Sequence, residues 1–172
     1  FTLMMFSIVG SMILIGGALL PKVGPKPLMI TGSVIVAVAL TIFANAQSPA
    51  MLYVAGVVLG LGYGISYQLV PIVWVNNWFV ARKGLVVGLV TGGTGIGGMI
   101  WSFMVPTLGG QPGPDNTSFR VGYYVMAVVV VGLTIPATLF LAVDKPSDVG
   151  LRPFGAPTVE EAVAAAAPRA TL

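Results

Sequence analysis

The chain has 172 residues, of which 56% are hydrophobic and only 8% charged, and its formal net charge is +3. A soluble domain carries about 25% charged residues, so this composition excludes an ordinary water-soluble fold. Cys and His are both absent from the sequence, which excludes disulfides and metal sites built from thiolates or imidazoles. We expect no bound metal, and no cofactor is expected either.

The longest uncharged run extends over the 55 residues from Pro27 to Ala81. A helix needs roughly 20 apolar residues to cross the hydrocarbon layer of a bilayer, so this run predicts two crossings joined by a tight turn. Three further uncharged stretches raise the prediction to five transmembrane helices, at about 2–20, 28–46, 50–79, 84–108 and 120–143. The expected fold class is an all-α, polytopic helix bundle over 1–143, with the lipid bilayer around it.

Turn-forming residues separate the expected helices. Three prolines and a glycine in residues 21–27 cannot continue a helix, so the first helix is expected to end at Leu20. A polar turn at 45–49 ends the second helix, and residues 109–119 are expected to form a surface loop. Residues 144–172 are polar and then rich in Ala and Pro, which is typical of a tail or an inter-domain linker.

The basic residues indicate the orientation of the bundle. Seven of the eight lie after the first helix, after the third helix or in the tail, and these places share one side; only Arg120 lies on the other. By the positive-inside rule, the seven face the cytoplasm of a cell-membrane protein. Because the chain begins with Phe rather than Met, we expect one further helix upstream, and so a six-helix unit with both ends in the cytoplasm.

Small residues recur at every fourth position of the third and fourth expected helices: Gly56, Gly60 and Gly64, then Gly84, Gly88 and Gly92. Such a ridge lets helix backbones approach closely, which is the main route to helix packing in lipid. Ordinary packing explains any single pair of these glycines. Their number favours helices that pack tightly or slide past each other, as an alternating-access carrier requires.

Residues 93–98 fit the G-x-G-x-x-G dinucleotide fingerprint. That fingerprint needs a preceding strand and a soluble βαβ unit around it, whereas here it lies midway along an apolar helix with no basic residue nearby. We therefore reject it as a nucleotide site.

The third expected helix carries an aromatic stripe. Five residues follow helical steps of three and four and are predicted to share one face: Tyr63, Tyr67, Pro71, Trp74 and Trp78. Packing is the common reason for such a stripe, and Trp78 also fits the aromatic belt at the membrane edge.

Polar groups at mid-depth are the candidates for a substrate pathway. An unsatisfied polar group there costs several kcal/mol, so Tyr67 and Gln68 should face protein or a water-filled cavity, and packing and substrate contact are both open for them. Thr91 and Thr94 form a weaker stripe on the fourth helix, where a threonine can also bond its own backbone. The candidate pathway residues are Tyr63, Tyr67, Gln68, Trp74, Thr91 and Thr94.

The interiors of the expected helices contain no acidic or basic residue. Charges at that depth usually mark proton relays and ion pathways, so this chain offers no candidate for coupling or for a substrate counter-charge. It also offers no acid, base, thiol or imidazole where a catalytic set could assemble. An enzyme is therefore not expected.

Residues 17–26 resemble the loop motif G-x-L-x-D-[RK]-x-G-[RK]-[RK] of the major facilitator superfamily, between its second and third helices. The matching positions are Gly17, Leu19, Lys22, Gly24 and Lys26. Pro21 stands where the motif has Asp, and Pro25 where it has a basic residue.

Two later stretches resemble the oxalate/formate antiporter and monocarboxylate transporter branch of that family. Residues 77–85, which include Arg82 and Lys83, are similar to its fourth-to-fifth helix junction, and glycines at 88 and 92–98 follow as they do there. Residues 146–155 resemble the stretch that often follows helix six. The likeness covers about 16–155, with the motifs in the right order.

The resemblance implies a twelve-helix carrier of two six-helix halves, of which this chain would supply helices two to six of the first half. The missing second half would be its partner, and small organic anions such as monocarboxylates, oxalate or formate its substrates. Helix four of such carriers lines the central cavity, which favours Tyr67 and Gln68 as pathway residues. The alternative is a non-transporting membrane subunit or a receptor-like protein that reuses the half-fold. A nucleic-acid partner is not expected.

Overall fold

The computed structural model describes residues 1–109 and 118–156, and helices account for most of this part of the chain. Four helices are long and apolar enough to cross a membrane: Pro25–Ala44, Pro49–Trp78, Lys83–Met104 and Phe119–Phe140. A helix pair bent by 50°, Thr2–Leu14 and Gly17–Val23, makes up a fifth candidate span. The predicted all-α, polytopic fold is confirmed.

The first span consists of α1 (Thr2–Gly10), a π-helical segment (Ser11–Gly16) and α2 (Gly17–Val23). The prediction that this helix ends at Leu20 is wrong, because Pro21 lies inside α2. Proline removes one backbone hydrogen bond, and membrane helices tolerate this where local π geometry and neighbouring helices satisfy the freed groups.

The link to the second span is a single residue, Gly24. Its φ of 84° is a conformation that favours glycine, and α3 (Pro25–Ala44) begins directly after it with a proline in its first turn. The predicted loop motif is therefore mostly helical. Gly17 and Lys22 lie in α2, and Lys26 lies in α3.

The third span consists of α4 (Pro49–Tyr63), a second π-helical segment (Gly64–Leu69) and α5 (Val70–Trp78). Ser48 caps its start by accepting a hydrogen bond from the backbone N–H of Met51 at 3.4 Å. Proline follows at the first helical position, where no backbone donor is needed.

The fourth span is α6 (Lys83–Gly109) and the fifth is α7 (Ser118–Phe140), followed by a short 3-10 helix (Pro146–Val149). Arg82, which precedes α6, has a φ of 55° and marks the sharp turn between the third and fourth spans. Residues 110–117, most of the predicted surface loop, and residues 157–172 of the predicted tail lie outside the described residues.

The second span lies at the centre of the bundle, with α3 packed against both α4 and α7. One buried cluster joins Leu28, Ile65 and Val70, and a second joins Val36, Leu40 and Ala127. The first span packs on α4, and α6 packs on α5 and α7.

The glycines of the third span lie where two helices approach closely. A Cβ at Gly60 would lie 2.7 Å from Ser7 Cβ, and one at Gly64 would lie 2.7 Å from the carbonyl oxygen of Ile8. On another face of the same helix, a Cβ at Gly62 would lie 2.8 Å from the carbonyl oxygen of Gly32. The third span is therefore pressed between the first and second spans through positions without side chains, the arrangement that small residues permit in lipid.

The glycines of the fourth span do not have this role within the described residues. A Cβ at Gly84, Gly88 or Gly92 would meet nothing within 4 Å. The packing role predicted for this ridge therefore stays a prediction. Periodicity shows which residues share a face, but it does not show what covers that face.

Three connections meet at one end of the bundle. The backbone N–H of Val80 donates to the carbonyl oxygen of Phe154 at 2.8 Å, next to a bridge between Phe79 and Phe154. Asp144 Oδ2 lies 3.7 Å from the position of a Cβ at Gly24. Residues 144–156 are thus packed on the ends of the spans, on the same side as the basic residues at 22–26 and 82–83.

Candidate functional site

A cavity of about 120 Å³ lies between the third and fourth spans. Five of the six residues predicted for the substrate pathway line it, and they are joined by apolar neighbours: Tyr63, Tyr67, Gln68, Thr91 and Thr94, with Pro71, Ile72, Val75, Val87 and Val90. The lining contains no charged residue. The structure therefore brings these predicted residues into one neutral, mixed polar and apolar space.

The sixth predicted residue, Trp74, does not line this cavity, and the single aromatic face predicted for the third span is wrong at this position. The π-helical segment Gly64–Leu69 has more residues per turn than an α-helix. The residues after it are therefore turned about the helix axis relative to an unbroken α-helix. As a result Val75, rather than Trp74, lines the cavity beside Tyr67 and Pro71. Trp74 is turned towards the second and fifth spans, where it lies near Met29 and Thr134.

The two tyrosines of the cavity are held by each other and by the fifth span. The rings of Tyr63 and Tyr67 lie 5.7 Å apart between centroids, tilted by 37°. The hydroxyl of Tyr67 lies 2.9 Å from Thr134 Oγ1, and either group can be the donor. Tyr67 thus keeps a fixed position in the cavity wall.

The threonines of the fourth span use their hydroxyl hydrogens on their own helix. Thr91 donates to the carbonyl oxygen of Val87 at 2.9 Å, and Thr94 donates to that of Thr91 at 2.5 Å. Both side chains line the cavity, and a hydroxyl oxygen that donates one bond can still accept others. Gln68 is exposed, and its amide can both donate and accept hydrogen bonds, so it is the most versatile polar group there.

A second opening, of about 490 Å³, lies between the second, third and fifth spans. Apart from Trp74, Thr134 and Thr138, its lining residues are apolar, and Leu133 and Leu141 in its wall are largely exposed. An open apolar groove of this kind in a membrane bundle suits lipid chains rather than a polar solute. The smaller cavity is the better candidate for a solute site.

Trp74 belongs to a polar cluster at the end of the third span. Its indole N–H donates to Asp144 Oδ1 at 3.0 Å, and the side-chain amide of Asn77 donates to the carbonyl oxygen of Asp144 at 2.9 Å. The indole N–H of Trp78 donates to the carbonyl oxygen of Val143 at 2.8 Å. These three donors fix the segment that leaves the fifth span.

Two residues of these sites were not found by sequence reasoning, Thr134 and Asp144. Thr134 lies 67 positions after its partner Tyr67, and Asp144 lies 70 positions after Trp74. Asp144 carried one usable signal, since it is the first acidic residue after the fifth uncharged stretch. Thr134 carried none, because a single threonine in an apolar helix commonly bonds its own backbone.

Comparisons with known proteins agree with this architecture. A family model of the Major Facilitator Superfamily matches residues 1–170. Curated relatives include an MFS-type transporter of Aspergillus niger, 29% identical over 118 residues, which are 68% of this chain and 27% of the relative. The agnestins efflux protein of Paecilomyces divaricatus is 26% identical over 140 residues, 81% of this chain and 30% of its own length.

A mammalian relative matches a shorter stretch. Monocarboxylate transporter 13 of Rattus norvegicus is 31% identical over 83 residues, 48% of this chain and 19% of its own length. No solved structure matches the chain.

The apolar spans, the close glycine contacts and the neutral inter-helix cavity define a multi-pass membrane protein. The chain belongs to the major facilitator superfamily. It spans less than a third of the length of each of these three relatives.

Proposed function

We propose that this chain is part of a secondary active transporter that moves small organic anions by alternating access. The observation that carries the proposal is the cavity between the third and fourth spans, where Tyr67, Gln68, Thr91 and Thr94 meet. Membership of the major facilitator superfamily supports a transport role for that cavity.

The size and chemistry of the cavity support a small, hydrogen-bonding solute. Drug-sized ligands occupy pockets of about 300–1,000 Å³, whereas this cavity has about 120 Å³. The hydroxyl of Tyr67 and the amide of Gln68 can donate hydrogen bonds to a carboxylate. A small monocarboxylate, oxalate or formate fits these features, and one relative is named a monocarboxylate transporter.

The lining of the cavity supplies no positive charge. A buried carboxylate needs a counter-charge or several donors to offset its desolvation. In our proposal, that charge comes from a second six-helix half outside this chain, which would complete the wall of the cavity.

Close helix contacts through glycine support a moving bundle. The first and third spans meet at Gly60 and Gly64, and a Cβ at Gly16 in the first π segment would meet the side chain of Leu69 in the second. π segments inside helices often occur at functional sites, and two of them in contact offer a place where the spans can bend. We propose that alternating access uses this bend, in a cell-membrane protein whose residues 144–156 face the cytoplasm.

Uptake measurements on the full-length protein test the proposal. The purified protein is reconstituted into liposomes, and uptake of labelled formate, oxalate and lactate is followed with and without the same anion inside. Gln68→Ala is expected to raise the KM for the transported anion several-fold while leaving membrane insertion unchanged. Trp101→Phe, on the fourth span but outside the cavity lining, is the matched control and should leave KM unchanged.

Two outcomes contradict the proposal. Correctly inserted protein that takes up none of the three anions would favour a non-transporting membrane subunit. Transport with the same KM in Gln68→Ala as in the wild type would move the substrate site away from this cavity.

A further inference from the structure

A basic pocket lies at the end of the bundle where the third and fifth spans finish. It has a volume of about 390 Å³, and its polar lining residues are Asn77, Lys145, Ser147 and Arg152. Asn77 comes from the last turn of α5, and the other three come from the segment after α7. None of these residues lines the cavity between the third and fourth spans, so this pocket is a separate site.

The two acidic residues of that segment, Asp144 and Asp148, are not part of the pocket lining. Asp144 accepts the hydrogen bond from Trp74 through Oδ1, and its Oδ2 lies near Gly24. Lys145 and Arg152 are both exposed, so the pocket presents two cationic side chains without an acidic neighbour in its wall.

The pocket also has an apolar wall. Leu151 lines it together with two prolines and is 58% exposed, and the neighbouring Val149 is 51% exposed. Exposed apolar side chains beside cations are unfavourable against water alone. They are favourable at the boundary of a bilayer, where headgroups and the first part of the acyl chains meet.

The position of the pocket along the bundle fits that boundary. α7 ends at Phe140, four residues before Asp144, and the indoles of Trp74 and Trp78 are hydrogen-bonded at this level. Tryptophan is enriched at the membrane–water interface for this geometry, with the ring in an apolar layer and the N–H on a polar group. Lys22 and Lys83 lie at the same end, on the neighbouring connections.

We propose that this pocket binds the phosphate of an anionic membrane lipid. Lys145 and Arg152 contact the phosphate oxygens, and Leu151 packs against the glycerol and upper acyl chain. Ser147 and the amide N–H of Asn77 that is not bonded to Asp144 supply hydrogen bonds. Free phosphate has the same charged chemistry, but only a lipid uses the exposed apolar wall. The bound lipid would tie the segment 144–156 to the end of the third span.

Lipid titrations of the purified full-length protein test this. Binding is measured by native mass spectrometry and by thermal stabilisation in detergent, with phosphatidylglycerol, phosphatidylcholine or inorganic phosphate as the added molecule. We expect phosphatidylglycerol to bind at least tenfold more tightly than phosphatidylcholine. Lys145→Gln combined with Arg152→Gln should weaken phosphatidylglycerol binding about tenfold or more, since each cation near the surface strengthens attraction to anionic lipid.

The matched control is Lys22→Gln combined with Lys83→Gln, which removes the same charge from the same end of the bundle. It should leave phosphatidylglycerol binding within about twofold of the wild type. Leu151→Asn should weaken binding of phosphatidylglycerol and leave binding of inorganic phosphate unchanged. If the double variant elutes as aggregate, Arg152→Gln alone is used, with Lys83→Gln as its control.

Three results would overturn the proposal. Equal weakening in the control double variant would mean a diffuse attraction to the basic end of the bundle. Inorganic phosphate that binds as tightly as the lipid, with no effect of Leu151→Asn, would make the pocket a free-phosphate site. Equal binding of phosphatidylglycerol and phosphatidylcholine would show that the charge of the headgroup does not contribute to binding.

Discussion

The hydroxyl of Tyr67 lies 2.9 Å from Thr134 Oγ1 and joins the third span to the fifth at the edge of the cavity. The two residues are 67 positions apart in the chain, so this bond forms only when the third and fifth spans are docked. Tyr67 therefore has two roles, one as a wall of the proposed substrate site and one as a link between helices, and the roles can be separated by mutation.

Tyr67→Phe and Thr134→Val both remove the inter-helix hydrogen bond, but only the first removes a polar group from the cavity lining. Hydrogen bonds between membrane helices contribute about 0.6 kcal/mol on average, so each variant should lower the free energy of unfolding by a similar small amount. The KM for the transported anion should rise several-fold in Tyr67→Phe and stay nearly constant in Thr134→Val. Unfolding in detergent and uptake in liposomes measure the two effects, and equal KM changes would assign Tyr67 to packing alone.

The two glycine ridges should respond differently to an added methyl group. Gly64→Ala places a Cβ against Ser11 and the backbone of Ile8, and overpacking of this kind costs about 1–3 kcal/mol. Gly88→Ala meets nothing within 4 Å in the described residues and gains helix propensity of up to about 1 kcal/mol. Thermal unfolding of the two full-length variants measures the difference. An equal loss in both would show that the ridge of the fourth span is covered by another part of the protein.

The bond between Trp74 and Asp144 should show as a coupling energy. Hydrogen bonds to charged groups contribute about 1.5–3 kcal/mol, so Trp74→Phe and Asp144→Ala should each destabilise the full-length protein by about that amount. The double variant should cost less than the sum, by about 0.5 kcal/mol or more. Trp101→Phe is the control for loss of an indole. Additive effects would mean that the two side chains act independently.

Labelling of introduced cysteines tests the orientation of the bundle. The chain contains no native Cys, so Lys22→Cys, Lys83→Cys and Gln47→Cys each add one reactive thiol to this part of the protein. A membrane-impermeant maleimide applied to intact cells should leave positions 22 and 83 unlabelled and label position 47, because basic connections face the cytoplasm. Labelling of positions 22 and 83 from opposite sides would disprove the predicted threading.

The helical, membrane-spanning character of the chain was determined by its amino-acid sequence. Lipid offers no hydrogen bonds to the backbone, so an uncharged run of sufficient length has to become a helix. The same physics predicted that Tyr67 and Gln68 would face protein or a cavity. Both line one cavity, together with Tyr63, Thr91 and Thr94.

The rotation of each helix and the identity of its neighbours were decided by tertiary structure. Trp74 lies off the predicted aromatic face because the π-helical segment before it has a different number of residues per turn. Gly64 and Gly88 have the same four-residue spacing, yet within the part of the chain that the structure describes only Gly64 lies against another span. Spacing along one helix specifies a face, whereas the partner of that face depends on residues far away in the chain, which a local pattern does not contain.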